Sequence, residues 1–368
     1  MNIPSNIIDK VAQSLGVEGV ANVEHIQSLW SGYGELVRLH LEGGETPSVI
    51  VKYILLPQST ASSHAHPRGW NTSRSHQRKL DSYQVEVNWY RHYANQCQAP
   101  VPKCLMEEQQ QNEILLVLED LTTLGYSEVH KCVGKPAILA CLRWLAQFHA
   151  QYMVHAQFMS YGQMINPHGL WPTGTYWHLA TRPDELSGLE DQRLKAAAEK
   201  IDVTLARCKY QTLVHGDAKL ANFCFTPESH VAASTISVAA VDFQYVGGGC
   251  GMKDVSLFLS SVLDFSESQD NTKAKVQIYL DEYFSVLKQT LSELHPEIDG
   301  DDVEHQWRPL YCVAWADFQR FVKGWCPGHW KINPYTEQLT DTALRWLAKE
   351  GLAKEGIAKQ RLANTTEQ

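Results

Sequence analysis

The residues with the most chemistry to offer form one short run, Leu213-Val214-His215-Gly216-Asp217-Ala218-Lys219-Leu220-Ala221-Asn222-Phe223. Its polar pattern is H-x-D-x-K-x-x-N, and it follows a strand-like apolar stretch. A second run, Ala239-Ala240-Val241-Asp242-Phe243-Gln244, sets an acid at the carboxyl end of another apolar strand. These residue types suit phosphoryl transfer. That reaction asks of a protein a carboxylate near the attacking hydroxyl, divalent cations on the phosphates, and cationic clamps. Asp217 can accept the hydroxyl proton. Asn222 offers a neutral oxygen to Mg2+ and Asp242 a charged one. Lys219, just beyond Asp217, is spaced to neutralise charge developing on the transferred group.

Groups so far apart in sequence need a scaffold to bring them together. The first third reads as strands. Ile26 to Trp30 and Glu35 to Leu41 flank the turn Ser31-Gly32-Tyr33-Gly34, and Ser48 to Ile54 is a β-branched run with Lys52 inside it. Residues 57–78 are rich in Ser, His and Arg and predict a long loop. Tyr83, Val87, Tyr90 and Ala94 recur at helical spacing and predict a helix over 79–97. Ile114 to Leu118 predicts a buried strand that leads into Glu119-Asp120-Leu121. Lys135 to Met153 predicts a strong helix, with Leu139, Leu142, Leu145, Ala146 and His149 on one stripe. Thr212 to Val214 and Ile236 to Val241 read as short strands. Beyond Val255 the periodicity is helical, and Trp307 to Trp330 reads as an aromatic helix up to Pro327. Leu-Ala-Lys-Glu-Gly recurs at 347 and 352, two copies that make a terminal helix and not a solenoid.

Composition narrows the class. A chain of 368 residues predicts two lobes around separate cores. The net charge of −9 argues against nucleic acid as a partner. The start of the chain lacks the apolar core of a signal peptide and reads as a short helix after Ser5. No stretch approaches the ~20 apolar residues of a membrane span. Nine cysteines without CxxC pairs point to a reducing compartment, hence a cytoplasmic location.

The His-Gly-Asp…Asn loop followed by Asp-Phe-Gln resembles the aminoglycoside phosphotransferase and choline kinase family, which shares the protein-kinase fold. The Asp-Ala-Lys wording of Asp217 to Lys219 looks closest to its ecdysteroid-kinase-like branch. The resemblance implies an α+β, two-lobed protein-kinase-like fold. Its sheet-rich nucleotide-binding lobe would span residues 1–121 and its helical catalytic and acceptor-binding lobe residues 122–368, with the active site in the cleft between them. It implies ATP and Mg2+ as cofactors and a small hydroxylated molecule as acceptor. Asp217 would be the catalytic base, aided by Lys219, and Asn222 and Asp242 the magnesium ligands. Lys52 would hold the α- and β-phosphates, with Glu86 as its best candidate partner. Gly32 and Gly34 would form the nucleotide loop. Glu119 to Leu121 would be the hinge that holds adenine, and Asp254 would buttress the catalytic loop.

This chain departs from protein kinases at informative places. Two glycines stand where the nucleotide loop of protein kinases has three, and Gln244 replaces the glycine of Asp-Phe-Gly. No activation-loop landmark follows, which argues against a protein substrate. The alternative reading is a catalytically weak pseudokinase, a nucleotide-binding scaffold whose output is a partner interaction. His64, His66 and His76, with Arg68, Arg74 and Arg78, read as a mobile loop or as a site for a metal or anion. The aromatic run from Trp307 to Trp330 is divided between core packing and an acceptor pocket. Asp317, Trp171, Trp177 and His178 are candidates to complete that pocket as an amphipathic or cationic one.

Overall fold

Apolar runs at Ser48–Leu55 and Glu113–Glu119, buried on both faces, build the centre of the first sheet. Strands β1 (Gly19–Ser28), β2 (Gly34–Glu42), β3 (Ser48–Leu55), β4 (Cys104–Gln110) and β5 (Glu113–Glu119) are antiparallel neighbours in the order β1-β2-β3-β5-β4. One face carries Val37, Leu39, Val49, Val51, Tyr53, Leu115 and Val117. Helix α1 (Ser5–Leu15) covers it with Ile7 and Val11, joined by Ile3. The structure is a computed structural model that describes residues 3–29, 32–56, 73–155, 167–227 and 236–349.

The chain divides into two compact units. The first comprises residues 1–144, 168–171 and 220–246. Besides the five-stranded sheet it contains helix α2 (Ser73–His92) and a two-stranded ribbon, β8 (Phe223–Phe225) with β9 (Val238–Ala240). The second comprises residues 145–167, 172–219 and 247–368. Its small sheet has the order β10-β7-β6, from Gly247–Gly249, Tyr210–Val214 and Val154–His155. It also holds α4 (Pro183–Ser187), α5 (Gln192–Ala206), α6 (Met252–Val262), α7 (Gln269–Leu294), α8 (Gly300–Trp307) and α9 (Leu310–Trp325). Helix α9 is the centre of that unit, packed against α4, α5 and α6, with Phe318, Phe321 and Val322 around Trp177 and Leu257. The division passes through α3 (Lys135–Gln151), after Trp144. The architecture is α+β, one unit sheet-rich and the other helix-rich.

Several elements differ from expectation. Helix α2 begins at Ser73, so residues 73–78 are helical and not loop. Its polar first turns have a tertiary anchor, the Tyr33 hydroxyl 2.5 Å from His76 Nδ1, that periodicity does not register. It stops at His92, and a 3-10 turn, Ala94–Gln96, follows. The rest of the expected loop, including His64, His66 and Arg68, lies outside the described residues. Strand β4 escaped notice because its Glu107, Glu108, Gln109 and Gln110 break the apolar pattern on a sheet edge. The helix expected from Trp307 up to Pro327 is α9, Leu310–Trp325; Trp307 itself ends α8, and the two helices part at Arg308-Pro309, where proline removes a backbone donor. The tail is helical over 334–349, and the second Leu-Ala-Lys-Glu-Gly copy lies outside the described residues. Among the described residues no helix is long and apolar enough to cross a membrane.

Candidate functional site

In the first unit, β3 and α2 bring Lys52 and Glu86 together. The Lys52 ammonium donates to both Glu86 oxygens, at 2.8 and 2.7 Å. Both residues are buried, 6% and 2% exposed. Burial drives the Glu86 carboxyl above its ordinary range, and Lys52 pulls it back. Burial also opposes the Lys52 charge, yet Glu86 and Asp242 outweigh it and hold the ammonium above its ordinary value. Two contacts below 3 Å are the geometry of a charged pair, and that is the state we assign. Asp242 Oδ1 lies 3.6 Å from the same ammonium, and its carboxylate is 35% exposed, so this cluster opens outward on one side.

Asp242 is held in an uncommon backbone conformation, with φ at +69°. The strain is over-determined by its neighbours. Gln244 Nε2 donates to Asp242 Oδ1 at 2.7 Å, and Gln244 Oε1 accepts from Lys79 Nζ at 2.7 Å. Phe243 stacks on Trp89 of α2 with ring centroids 4.3 Å apart. The Val241 N–H donates to the Asn222 carbonyl at 3.0 Å, so the backbones bearing Asn222 and Asp242 adjoin. An amide oxygen and a carboxylate on adjoining backbones fit Mg2+, which takes few protein ligands and completes its shell with water and phosphate. Among the described residues no group of three acidic, His or Cys side chains is poised for a metal.

The two glycines differ in character. Gly34 opens β2, its φ is +154°, and a Cβ there would fall 2.0 Å from the Tyr53 carbonyl oxygen, so close strand pairing demands glycine. Gly32 has φ +73° with open space around it. Glu119 ends β5, and its N–H donates to the Lys103 carbonyl at 2.9 Å. Buried Leu121 starts a short turn, its carbonyl accepting from the Tyr126 N–H at 2.9 Å. Asp120 between them ties the segment to the sheet through Arg38 Nε at 2.6 Å and Ser48 Oγ at 2.7 Å.

In the second unit, β7 delivers the His-Gly-Asp turn. Asp254, in the first turn of α6 and wholly buried, accepts the His215 N–H at 2.5 Å and the Gly216 N–H at 2.9 Å. Its Oδ2 also meets His149 Nε2 at 3.1 Å, and the other nitrogen of that ring meets the Tyr283 hydroxyl at 2.8 Å. The loop is thus pinned by a carboxylate that is itself pinned. Asp217 is buried, and its Oδ2 accepts from Lys219 Nζ at 2.7 Å, while the lysine remains 43% exposed. A buried carboxylate beside a half-exposed cation can take a proton while the cation offsets developing negative charge.

The pocket expected around Asp317 has another character. Asp317 is buried and saturated by Arg320 at 2.9 Å, Trp177 Nε1 at 2.9 Å and Lys253 at 3.7 Å. Arg320 and Lys253 hold its carboxyl below the usual range against burial. This carboxylate is core structure with no charge left for a cationic ligand. Trp177, Trp307 and Trp315 are likewise buried, whereas Trp330 is 60% exposed. His178 pairs with Asp202 at 3.2 Å, and Trp171 donates to the Gln244 carbonyl in the first unit. Sequence reading missed Lys79, and it took Gln244 only as a departure. The one sequence signal was the placing of Gln244 two residues after an acid; Lys79, 165 residues away from it, gave none.

No curated protein matches this sequence. Among solved structures the chain is similar to a putative aminoglycoside phosphotransferase from Ralstonia eutropha, at 12% identity with 94% of this chain and 96% of that one covered and a TM-score of 0.47. It is similar to choline kinase from Cryptosporidium parvum, at 10% identity, 96% and 98% coverage and a TM-score of 0.47. It is also similar to an aminoglycoside phosphotransferase from Streptomyces rimosus in complex with ADP and streptomycin, at 12% identity, 87% and 99% coverage and a TM-score of 0.35. The model of the ecdysteroid kinase-like family matches residues 66–167 and 176–295, more than half of the chain and both catalytic-type runs. The chain therefore belongs to the ecdysteroid kinase-like family, and the protein-kinase-like fold expected of it stands with that membership.

Proposed function

We propose that this protein is a Mg2+-dependent phosphotransferase that moves the γ-phosphoryl group of ATP to a hydroxyl of a small molecule. The observation that carries the reading is the Lys52 ammonium set between Glu86 at 2.7 Å and Asp242 at 3.6 Å, a buried cation next to an outward-facing carboxylate. Lys52 grips the α- and β-phosphates, with Glu86 fixing its direction. Asn222 and Asp242 would hold Mg2+, which shields phosphate charge when bound. Gly32 and Gly34 lie under the triphosphate and Glu119 to Leu121 along adenine. Asp217 takes the proton of the acceptor hydroxyl as its oxygen bonds to the γ-phosphorus. The bond from that phosphorus to the β-γ bridging oxygen breaks, leaving ADP and a phosphate monoester. Lys219 turns from Asp217 to the charge on the moving group.

Family membership supports the kinase class, and the buried pair supports the nucleotide side in particular. ADP release in a coupled assay, across sugars, amino alcohols, sterols and hydroxy acids, tests the reading. It requires release that depends on Mg2+, on an acceptor and on Asp217. ATP binding with no acceptor-dependent release would favour the scaffold reading instead.

A further inference from the structure

Lys331 follows α9 in the second unit and takes no part in the chemistry described so far. Its backbone is fixed: its carbonyl accepts from Gln319 Nε2 at 2.8 Å and Thr336 Oγ1 at 2.9 Å, and its N–H donates to His329 Nδ1 at 3.1 Å. Gln319 and Thr336 are themselves buried. The side chain is equally confined. Its ammonium lies over the Phe318 ring, 5.1 Å from the centroid, and 5.5 Å from that of exposed Trp330. It donates to Ser260 Oγ at 2.9 Å, and that hydroxyl spends its own proton on the Leu257 carbonyl at 2.7 Å.

Among the described residues no carboxylate pairs with this ammonium, and Ser260 is its one hydrogen-bond acceptor. Among the described residues of this unit, the buried Lys and Arg side chains each have an acid: Arg320 and Lys253 share Asp317, and Arg182 pairs with Glu185. Burial pulls the Lys331 amine down to about 8, with Asp217 opposing that fall and Lys219 adding to it. The charge of Asp217 is thus felt at Lys331 without a bond between them. A fixed, half-buried ammonium walled by rings and short of a counter-ion is unfavourable on its own. It is repaid when an anion arrives.

We propose that Lys331 receives an oxyanion brought by the substrates. The assignment rests on the phosphotransferase reading for its biological meaning. Two sources share this chemistry: a carboxylate or phosphate carried by the acceptor, and the phosphoryl group in transfer. In either case a cationic amino alcohol is disfavoured at this position, because it would set a second positive charge against an ammonium that lacks a partner.

Thermal unfolding of the wild type, Lys331→Met and Lys331→Arg tests the assignment. Each is titrated with inorganic phosphate, with 4-hydroxybenzoate, and with neutral 4-hydroxybenzamide, at matched ionic strength in sodium chloride. At least one anion stabilises the wild type, binds at least about tenfold more weakly to Lys331→Met, and is retained by Lys331→Arg, while the amide does nothing. A response to phosphate assigns the site to the phosphoryl group; a response to 4-hydroxybenzoate assigns it to the acceptor. If neither anion binds, or if Lys331→Met binds them as the wild type does, the assignment is overturned. Lys331→Gln replaces the methionine variant if that one does not fold. Mg-ATP is titrated into the same samples. Loss of its stabilisation with anion binding intact would defeat the phosphotransferase reading and leave the anion site standing.

Discussion

Gln244 donates to Asp242 at 2.7 Å from two residues away, and it does so from the position where protein kinases carry a glycine. Its other end accepts from Lys79, so one amide links a helix cation to the carboxylate we assign to Mg2+. Partners behind a metal ligand typically govern affinity by ten- to a hundredfold. Gln244→Leu keeps the volume and loses both bonds. The Mg2+ concentration needed for half-maximal nucleotide stabilisation rises about tenfold in that variant. An unchanged requirement would show that Gln244 merely fills space.

The Lys52–Glu86 pair makes a stability prediction independent of catalysis. Lys52→Met leaves Glu86 buried beside Asp242 without a cation, which costs about 3–5 kcal/mol. Lys52→Met combined with Glu86→Leu removes the stranded charge and recovers much of that loss. Urea unfolding of the two single variants and the double variant measures the coupling. Additive losses would contradict the pairing.

Gly34 and Gly32 separate a structural role from a conformational one. Gly34→Ala drives a methyl into the Tyr53 carbonyl at the start of the β2–β3 pairing, and costs about 3 kcal/mol or more. Gly32→Ala meets nothing and carries only the strain of its positive φ, about 1 kcal/mol. Melting temperatures of equal size for the two variants would refute this distinction.

These particulars also show what was legible in the sequence. The family and the α+β class were readable because His-Gly-Asp…Asn and Asp-Phe-Gln each sit at a strand end and occur in the right order. The sheet core was readable because β3 and β5 are short, nearly continuous apolar runs. The start of α2 was not, because its first turns are polar and depend on the His76–Tyr33 contact. The division of the aromatic run into core and surface was also hidden, since helical spacing does not tell which face is covered. Asp317 looked available for a ligand because its partners Lys253 and Trp177 are remote in sequence.

Lys331 adds a pH signature. Its folded-state value, about 8, lies below the ordinary 10.5 because of burial, so between those values the unfolded chain binds more protons than the folded one. Stability contributed at this site therefore rises as pH increases through that window, by at most about 3 kcal/mol and by less for a partly exposed group. The wild type gains stability relative to Lys331→Met between pH 8 and 10.5 in paired denaturation curves. A difference between the two that stays flat would contradict the burial of this charge.

The most direct measurement of the phosphotransferase account is thermal unfolding with ATP plus Mg2+, with ATP alone and with neither, on the wild type, Asp242→Ala and Asp217→Asn. The account predicts Mg2+-dependent stabilisation of the wild type by about 2.7 kcal/mol at a hundred times the dissociation constant. Asp242→Ala should lose it, and Asp217→Asn should keep it while releasing no ADP. Saturating Mg-ATP that leaves the wild-type transition unmoved would contradict the account at its foundation.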